Sequence, residues 1–427
     1  MDTLEQARNT IDDIDQEMAA LFQRRMKAVE VIAEYKRAHH LPIMDQNREQ
    51  SVITRGVNAM ASEELRTYYA EFLRGLLDVS KHYQANLTDD TPSLLTGVIT
   101  DVVLERGCLH RAHQLIDLNR RVLIVTDDGV PRQYAADLAS QCARVSVVQL
   151  PQGESRKSFE TLQSLLREML AFEMTRGDCV VAVGGGMVGD IAGFAASIYM
   201  RGIDFYNIPT TLLAQVDSCV GGKTAIDFAG MKNMVGTFYL PKKVLADPDL
   251  LSTLPRRQLS AGLAEALKMS VTLDPEMFNV FEGSDPFSDL DTIIARSLRA
   301  KTDIVAADAK ETGLRRVLNF GHTVGHALEM THPELLHGEC VALGMMPMCS
   351  DEVRDRLIPI LKKLDLPNHC QLDVARVIDI IRHDKKRTGD HILAVEAEKI
   401  GAYTIRPFTL DELAGRLSCL MEGADSQ

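Results

Sequence analysis

The sequence pattern changes abruptly near residue 90, and this change most constrains how the 427-residue chain can fold. The first 87 residues contain one proline, Pro42, and only Gly56 as a glycine before Gly75. Apolar residues recur there every three or four positions, as on one face of an α-helix. After a polar stretch at 88–94, short β-branched runs alternate with helical patterns, which is typical of a parallel sheet. One chain must therefore hold at least two different folds.

The sequence predicts three structural units, which agrees with about 150 residues for each domain. We predict an all-α module of three helices at residues 1–87, followed by a linker at 88–94. An α/β lobe at 95–254 and a largely α-helical lobe at 255–427 complete the chain, because strand patterns fade beyond about Pro255. The predicted fold class is multidomain.

The same periodicity predicts individual elements. Helices are predicted to about His39, from about Asp45 and from about Ser62, where a serine can cap the helix start. Strands are predicted at 97–104, 121–126, 144–150, 179–183 and 203–208.

The charge of the chain restricts its binding partners, and its cysteine content restricts its cellular compartment. The 47 Lys and Arg residues against 60 Asp and Glu residues give a net charge of -13, which disfavours binding to nucleic acid or anionic membranes. Anionic small molecules stay compatible, since a site responds to its local basic residues. The eight cysteines form no C-x-x-C pair, and the first residues lack the features of a signal peptide. We therefore expect a cytoplasmic protein with reduced thiols.

Polar residues in the helical N-terminal module mark a first candidate site. Arg25 and Lys36 are eleven residues apart, about three turns, so both lie on nearly one face of the first helix. Arg8 precedes Arg25 by seventeen residues, which places it about 25 Å away along the axis and rotated by about 100°. Arg8 cannot easily share a site with Arg25 of the same chain, but a dimer can bring it there from a partner helix.

The other two predicted helices add polar residues to this set. Asp45, Arg48 and Glu49 fall within one turn, and Ser80 and Gln84 form an i,i+4 pair. Taken singly, each of these residues fits a solvated helix face, since charged side chains are mostly exposed. The full set favours a functional site.

Residues 1–87 resemble the all-helical chorismate mutase family, with a one-residue shift before the third helix. The resemblance implies a catalytic site made of Arg8, Arg25, Lys36, Asp45, Arg48, Glu49, Ser80 and Gln84. That family rearranges chorismate to prephenate without a cofactor, so the enzyme holds one substrate conformer and stabilises developing charge. By the resemblance, the three arginines bind carboxylates, with Arg8 supplied by a second protomer. Lys36 and Gln84 donate to the ether oxygen, and Glu49 holds a hydroxyl.

A glycine-rich loop follows a predicted strand in the α/β lobe. Residues 184–190 read Gly-Gly-Gly-Met-Val-Gly-Asp and lead into an apolar helix, which satisfies G-x-G-x-x-G. Backbone N–H groups at such a helix start can face a pyrophosphate. A tight strand-to-helix turn of any α/β protein would use the same glycines. Because the loop follows about the fourth strand, an ordinary Rossmann dehydrogenase is a poor match.

Histidines and a glutamate in the C-terminal lobe form a further candidate site. His322 and His326 lie at i,i+4 on one helix face, and His337 follows shortly after. With Glu265, these residues provide enough nitrogen and oxygen ligands for a catalytic zinc ion. Alternatively, each histidine is a surface or core residue, since convergence in space is not visible in sequence.

Residues 95–427 resemble 3-dehydroquinate synthase over almost their entire length. The glycine loop and the histidine segments carry the resemblance, together with residues 199–202, 208–218, 221–224 and 232–233. It implies a dehydroquinate-synthase-like fold, in which an α/β NAD+-binding lobe precedes an α-helical metal- and substrate-binding lobe. It also implies NAD+, a divalent metal (Zn2+, with Co2+ as an alternative) and 3-deoxy-D-arabino-heptulosonate 7-phosphate as substrate.

The same resemblance implies site residues. The metal ligands are Glu265, His322 and His337. The catalytic residues are Asp217, Lys223, Lys268, Lys301, Arg315, Asn319 and His326. Lys223 and His326 contact the phosphate together with Asn233, Lys385 and, from a neighbouring subunit, Arg201. The NAD+ contacts are Asp127, Glu154, Lys157, Gly185, Gly186, Asp190, Thr210, Thr211 and Lys232.

The implied reaction is a transient oxidation. Hydride passes to NAD+ and returns after phosphate is eliminated, so that no net redox change occurs, and an aldol step closes the ring. Two residues depart from the family pattern: Cys219 stands where serine is common, and Gly129 where asparagine is usual near the adenosine.

The predicted function is therefore a bifunctional enzyme of the shikimate pathway and aromatic amino acid biosynthesis, acting on anionic small molecules as a homodimer or higher homo-oligomer. The alternatives are a related sugar-phosphate cyclase, a metal-dependent polyol dehydrogenase, and an N-terminal module that serves only dimerisation or regulation. The residues that match the family's contacts with a substrate carboxylate disfavour the related cyclase. Retention of all eight mutase positions disfavours a module that serves only dimerisation or regulation.

Overall fold

The computed structural model describes residues 3–39, 46–86, 93–96, 100–308, 311, 313–383, 387–388 and 391–421. The chain divides into two compact units, Met1–Thr96 and Gly97–Gln427. Within the described ranges, none of the helices combines the length and the apolar character needed to cross a membrane.

The first unit is all-helical apart from one short strand. Its elements are α1 (Thr3–Ala38), α2 (Gln46–Ala59), α3 (Glu63–Asn86) and β1 (Ser93–Thr96). Helix α3 packs against both α1 and α2. Val29, Ala33 and Leu73 are buried there. Part of the apolar face of α1 is exposed, since Ile11 and Leu21 are 56% and 58% exposed.

The second unit is built on a parallel sheet. Its first strands are β2 (Asp101–Leu104), β3 (Arg121–Asp127), β4 (Arg144–Leu150), β5 (Cys179–Gly184), β6 (Asp204–Pro209), β7 (Lys223–Phe228), β8 (Met231–Phe238) and β9 (Lys243–Ala246). Six of these lie in the order β2-β9-β6-β5-β3-β4, and the pairings are parallel. The chain runs from β3 to β4 on one side and then to β5 on the other. The strand order therefore reverses between β3 and β5.

Both faces of the sheet are buried along the central strands β3 and β5, as their β-branched runs require. Along β3, Val122 and Ile124 point into one hydrophobic core, and Leu123 and Val125 point into a second core on the opposite face. The alternation follows from the two-residue period of a strand. Strands β7 and β8 form a separate antiparallel hairpin.

Helices surround the sheet and form most of the C-terminal half. The helices of this unit are α4 (Ala112–Leu115), α5 (Arg132–Ser140), α6 (Phe159–Ala171), α7 (Gly186–Ile198), α8 (Arg256–Thr272), α9 (Pro275–Gly283), α10 (Leu290–Ala307), α11 (His322–Thr331), α12 (His337–Met345), α13 (Asp351–Lys363), α14 (Val374–Arg382) and α15 (Leu410–Arg416). This architecture confirms the predicted fold class. The predicted division of the unit at 254/255 stays a prediction.

A small antiparallel sheet near the C-terminus was missed by the sequence pattern. It contains β10 (Arg387–Thr388), β11 (His391–Lys399) and β12 (Ala402–Thr409) in that order. Alanine, glutamate and lysine in β11 favour helix locally, but Ile392 and Ala397 are buried in the tertiary structure. Gly401 makes the connecting turn with a φ of 80°.

Candidate active sites

The carboxyl edge of the parallel sheet gathers several predicted NAD+ contacts. Asp127 ends β3, Gly185 and Gly186 follow β5, and Thr210 and Thr211 follow β6. Since β3 and β5 flank the reversal of strand order, these loops border the crevice where open α/β sheets bind ligands. Helix α7 begins at Gly186, so its N-terminus faces the same edge.

The loop after β3 is tight. The Asp127 carboxylate accepts a hydrogen bond of 2.8 Å from the Gly129 N–H. A Cβ atom at Gly129 would lie 2.3 Å from the Gln152 side chain. The glycine that departs from the family pattern therefore fits this loop, and an asparagine would require Gln152 to move.

Lys157 joins three other predicted site residues. Its ammonium nitrogen lies 2.7 Å from Asp190 Oδ2 and 3.3 Å from Glu154 Oε1, and it donates to Asn233 Oδ1. Lys157 is 3% exposed. Burial raises the pKa of Asp190 to about 6, although Lys157 opposes this shift. The structure thus brings a predicted phosphate contact, Asn233, to the predicted NAD+ contacts.

Three helices position the candidate metal ligands. Glu265 lies on α8, and His322 and His337 are the first residues of α11 and α12. Helix α12 approaches α8 so closely that a Cβ atom at Gly338 would lie 2.0 Å from the Ala261 carbonyl oxygen. Gly321, with a φ of 75°, sets the start of α11.

The three ligands converge in space. Glu265 Oε1 lies 3.2 Å from His337 Nε2 and 3.6 Å from His322 Nε2. One donor atom from each residue lies within 4.8 Å of the others. Glu265 is only 1% exposed. Neither of its oxygens has a hydrogen bond of regular geometry, although Lys268 Nζ forms a close ion pair with Oε2.

The hydrogen bonds behind each imidazole determine which nitrogen faces Glu265. His322 Nδ1 lies 3.1 Å from the Phe320 carbonyl oxygen, and His337 Nδ1 contacts the Glu329 carboxylate. Both partners only accept, so Nδ1 of each ring carries a proton, and the neutral form of each ring presents an Nε2 lone pair. Two lone pairs and a buried carboxylate then point at one place, which suits a divalent cation. These residues therefore fit a metal ion.

The surroundings shift the pKa values of the two histidines in opposite directions. Burial opposes the imidazolium form of His337, but Glu265 and Glu329 raise its pKa to about 10. Burial and the nearby Lys268 lower the pKa of His322 well below its ordinary value. Burial opposes ionisation of Glu265 too, yet Lys268 and the two histidines hold its pKa well below the ordinary value.

A network of two buried lysines and the half-buried Asp217 adjoins the candidate metal ligands. Lys301 Nζ on α10 lies 2.9 Å from Asp217 Oδ1, and Lys268 is 2% exposed. Burial would favour neutral Asp217, but Lys301 and Lys268 lower its pKa. Burial lowers the pKa of Lys301 although Asp217 opposes this shift. Burial also acts to lower the pKa of Lys268, but Glu265 and Asp217 outweigh it and raise that pKa. The structure therefore groups these predicted catalytic residues near the candidate metal ligands.

Glu311 contacts two predicted substrate-binding residues. Its carboxylate pairs with Lys223 and accepts a hydrogen bond of 2.6 Å from Asn319 Nδ2. Arg315, which is 2% exposed, donates to the Gly221 carbonyl oxygen at 3.1 Å. A carboxylate thus already sits among the groups predicted to bind an anion.

Three further predicted residues of the second unit differ in how the structure places them. His326 is exposed, but its ring centroid lies 5.2 Å from that of His322 and 6.2 Å from that of His337. Arg201 is exposed, with a φ of 68°. Lys385 lies outside the described residues.

In the first unit, one predicted pair is in contact. The Arg25 guanidinium donates to Ser80 Oγ, and Ser80 donates to the Leu76 carbonyl oxygen at 2.6 Å. Burial lowers the pKa of Arg25. Lys36 is half-buried on the same helix.

For the other predicted mutase residues, the structure gives the exposure of two and does not describe the side chains of three. Arg8 and Arg48 are exposed. Asp45 lies outside the described residues, as do the side chains of Glu49 and Gln84.

Sequence reasoning missed Glu329 and Glu311. Glu329 follows His322 by seven residues and His326 by three, so its helical spacing was a usable signal. Glu311 lies in the loop between α10 and α11, where no periodic pattern reveals its partners. A third acidic residue, Glu339, is paired with Arg257 through N–O distances of 2.6 and 2.7 Å.

The parallel sheet with its glycine loop and the cluster of candidate metal ligands define the second unit as an α/β protein with a candidate metal site. Residues 147–261 match the family model for the 3-dehydroquinate synthase N-terminal domain, and residues 262–387 match that for its C-terminal domain. The 3-dehydroquinate synthase of Latilactobacillus sakei subsp. sakei (strain 23K) is 42% identical over 313 residues, covering 70% of this chain and 88% of the relative. The chain therefore belongs to the 3-dehydroquinate synthase family.

Residues 7–85 match the family model for chorismate mutase type II. The chain is accordingly a bifunctional enzyme of the shikimate pathway, with chorismate mutase and 3-dehydroquinate synthase activities. Both activities were predicted from the sequence, and both are confirmed.

Solved structures of related synthases share the fold of the second unit. The 2-epi-5-epi-valiolone synthase ValA from Streptomyces hygroscopicus subsp. jinggangensis 5008 superposes with a TM-score of 0.70 at 30% identity, covering 77% of this chain and 98% of ValA. A 2-deoxy-scyllo-inosose synthase gives 0.69 at 27% identity, covering 74% and 96%. The ValA structure has NAD+ and Zn2+ bound, and the second is a complex with carbaglucose-6-phosphate, NAD+ and Co2+.

Proposed function

We propose that the second unit converts 3-deoxy-D-arabino-heptulosonate 7-phosphate to 3-dehydroquinate and phosphate, with catalytic NAD+ and a divalent metal. The observation that carries the proposal is the convergence of Glu265, His322 and His337, with both imidazoles presenting Nε2 to a buried carboxylate. The NAD+ and metal in the solved relatives support the same cofactors here.

The metal would be held by Glu265, His322 and His337, and NAD+ by the carboxyl edge of the sheet. When bound, NAD+ accepts and returns a hydride while the divalent cation polarises the substrate hydroxyl. Lys268 lies beside Glu265 and stays charged because burial is outweighed by Glu265 and Asp217. It can therefore donate a hydrogen bond to a substrate oxygen next to the metal without giving up its proton.

The cationic groups around Asp217 suit a substrate with both a carboxylate and a phosphate. Arg315 offers a guanidinium, whose planar fork fits a carboxylate. Lys223 and Asn319 are held by the Glu311 carboxylate, so an anionic substrate can take the place of an acidic side chain. Exchange of one anion for another avoids leaving these groups unpaired in a partly buried site.

The alternative function is that of a sugar-phosphate cyclase acting on a substrate without a carboxylate. This alternative has a structural precedent, since one of the two solved relatives was solved with carbaglucose-6-phosphate. The 42% identity to a 3-dehydroquinate synthase, against 27–30% for the two cyclases, favours the carboxylate-bearing substrate.

Purified full-length chain loaded with Zn2+ and NAD+ tests the proposal. The heptulosonate phosphate and glucose 6-phosphate are supplied separately, and phosphate release is measured together with dehydroquinate through a coupling dehydratase. We expect equal amounts of both products from the heptulosonate phosphate and no accumulation of NADH. Turnover of glucose 6-phosphate alone would establish the sugar-phosphate cyclase. Formation of one NADH for each substrate consumed would indicate a dehydrogenase.

For the first unit, we propose that the rearrangement of chorismate to prephenate takes place in a homodimer. Arg25 is already oriented by Ser80, whereas Arg8 lies on a distant part of the same helix. Four apolar residues of α1 are 45–58% exposed in one protomer, namely Ile11, Ile14, Met18 and Leu21. Association would remove this apolar surface from water and bring in a second Arg8.

Dilution tests this second proposal. Mutase activity per chain is measured across a range of concentrations and compared with the mass from light scattering. We expect specific activity to fall in step with dissociation. An inactive but dimeric module would show a purely structural role, and a fully active monomer would remove the need for a partner's Arg8.

A further inference from the structure

Glu329 lies directly behind a candidate metal ligand. It is on α11 with His322 and His326, and the spacing of seven and three residues places all three on one helix face. Its side chain is 11% exposed. One carboxylate oxygen contacts His337 Nδ1, and the other lies 3.1 Å from Lys232 Nζ on β8.

The contact with Glu329 determines what His337 can do. An ionised carboxylate only accepts hydrogen bonds, so the proton of the neutral ring must sit on Nδ1. Nε2, which lies 3.2 Å from Glu265 Oε1, is then left with its lone pair directed at the cluster. The opposite tautomer would place a proton on the nitrogen that must bind a metal.

The two histidines differ in how this constraint is provided. His322 Nδ1 is fixed by the Phe320 carbonyl oxygen, a backbone group two residues away. His337 depends on a side chain that a single substitution can remove. Lys232, which is 59% exposed, holds the second oxygen of Glu329 and so limits its rotation.

We propose that Glu329 is a positioning residue for the metal site, fixing the tautomer and the orientation of His337. The proposal rests on the proposed function of Glu265, His322 and His337 as metal ligands. Carboxylates that accept from a ligating histidine commonly change metal affinity by about 10–100-fold when removed.

The test measures Zn2+ binding to the purified full-length chain, freed of metal, by competition with a chromophoric chelator. Glu329→Ala is expected to weaken Zn2+ binding by about 10–100-fold. Glu329→Gln is expected to weaken binding less, because its amide oxygen can still accept from Nδ1. Glu334→Gln, at an exposed site nearby, loses the same charge and should bind as the unaltered chain does.

Two further measurements separate positioning from general damage. The visible spectrum of bound Co2+ should change in Glu329→Ala, and nitrogen NMR of the histidines should show loss of the Nδ1–H tautomer for His337 but not for His322. Circular dichroism identifies a variant that fails to fold, in which case Glu329→Gln carries the comparison.

The outcomes distinguish this inference from the proposed function. If the unaltered chain binds Zn2+ stoichiometrically and the Glu329 variants bind it equally well with an unchanged Co2+ spectrum, the positioning role is wrong and the metal site stands. If the unaltered chain binds no Zn2+, both proposals are overturned.

Discussion

The ammonium group of Lys301 lies 2.9 Å from the Asp217 carboxylate and also donates to the Asp217 carbonyl oxygen. The side chains are 7% and 25% exposed. This pair connects α10 to the turn after β6, so it joins the helices of the second unit to its parallel sheet.

Asp217→Asn should therefore destabilise the second unit and impair the synthase. Removing the carboxylate leaves a buried cation without its counter-ion, a change that typically costs about 3–5 kcal/mol. Urea unfolding, followed for this unit, measures the loss. Lys242→Met, which breaks an exposed pair with Asp204 at 3.8 Å, is the control and should cost less than about 1 kcal/mol. Equal losses in the two variants would contradict this expectation.

Removal of metal should separate the two activities. Treatment with a chelator is expected to abolish synthase turnover while mutase turnover persists, because the mutase residues include no metal cluster in the part of the chain that the structure describes. Zn2+ or Co2+ added back should restore the synthase. Full synthase activity in protein shown by elemental analysis to be metal-free would refute the expectation.

Single substitutions should inactivate the units independently. Arg25→Ala removes a guanidinium held by Ser80, and we expect mutase activity to fall by at least about 100-fold with the synthase unchanged. His337→Ala should do the reverse. Both activities are measured on each purified variant. Loss of both in either one would show that the units depend on each other.

Gly338→Ala should disturb the candidate metal site through the backbone. A Cβ atom there would lie 2.0 Å from the Ala261 carbonyl oxygen, so α12 must move away from α8. We expect a loss of about 1–3 kcal/mol from overpacking, and weaker Zn2+ binding. Gly415→Ala in α15 has open space and is the matched control, with a gain of up to about 1 kcal/mol from helix propensity. Unchanged Zn2+ binding in Gly338→Ala would show that this contact does not position His337.

Thiol reactivity should depend steeply on pH. Burial raises the pKa of Cys108, Cys179, Cys219, Cys340 and Cys349 to about 12. At pH 8 the thiolate fraction is then about 10⁻⁴, and it rises about tenfold for each pH unit up to the pKa. Alkylation of these five thiols, followed by mass spectrometry, should be slow in native protein and fast in urea. Rapid native labelling at pH 8 would contradict their burial.

Much of this architecture follows from local pattern. The helices of the first unit and strands such as β4 were predicted within a few residues, because periodicity and caps act over short separations. The C-terminal sheet was missed, since the composition of β11 favours helix and only long-range pairing with β12 makes it a strand.

The sequence by itself determined the order of the units and the glycine loop, because helix, strand and turn patterns depend on residues close together in the chain. The tertiary structure alone decided that Glu265 on α8 meets His322 and His337, since that meeting requires α12 to pack against α8 at Gly338. It also decided the contacts of Glu329 and Glu311, whose partners include residues on the distant β7–β8 hairpin. Ion pairs of this kind depend on distance in space, which sequence separation does not encode.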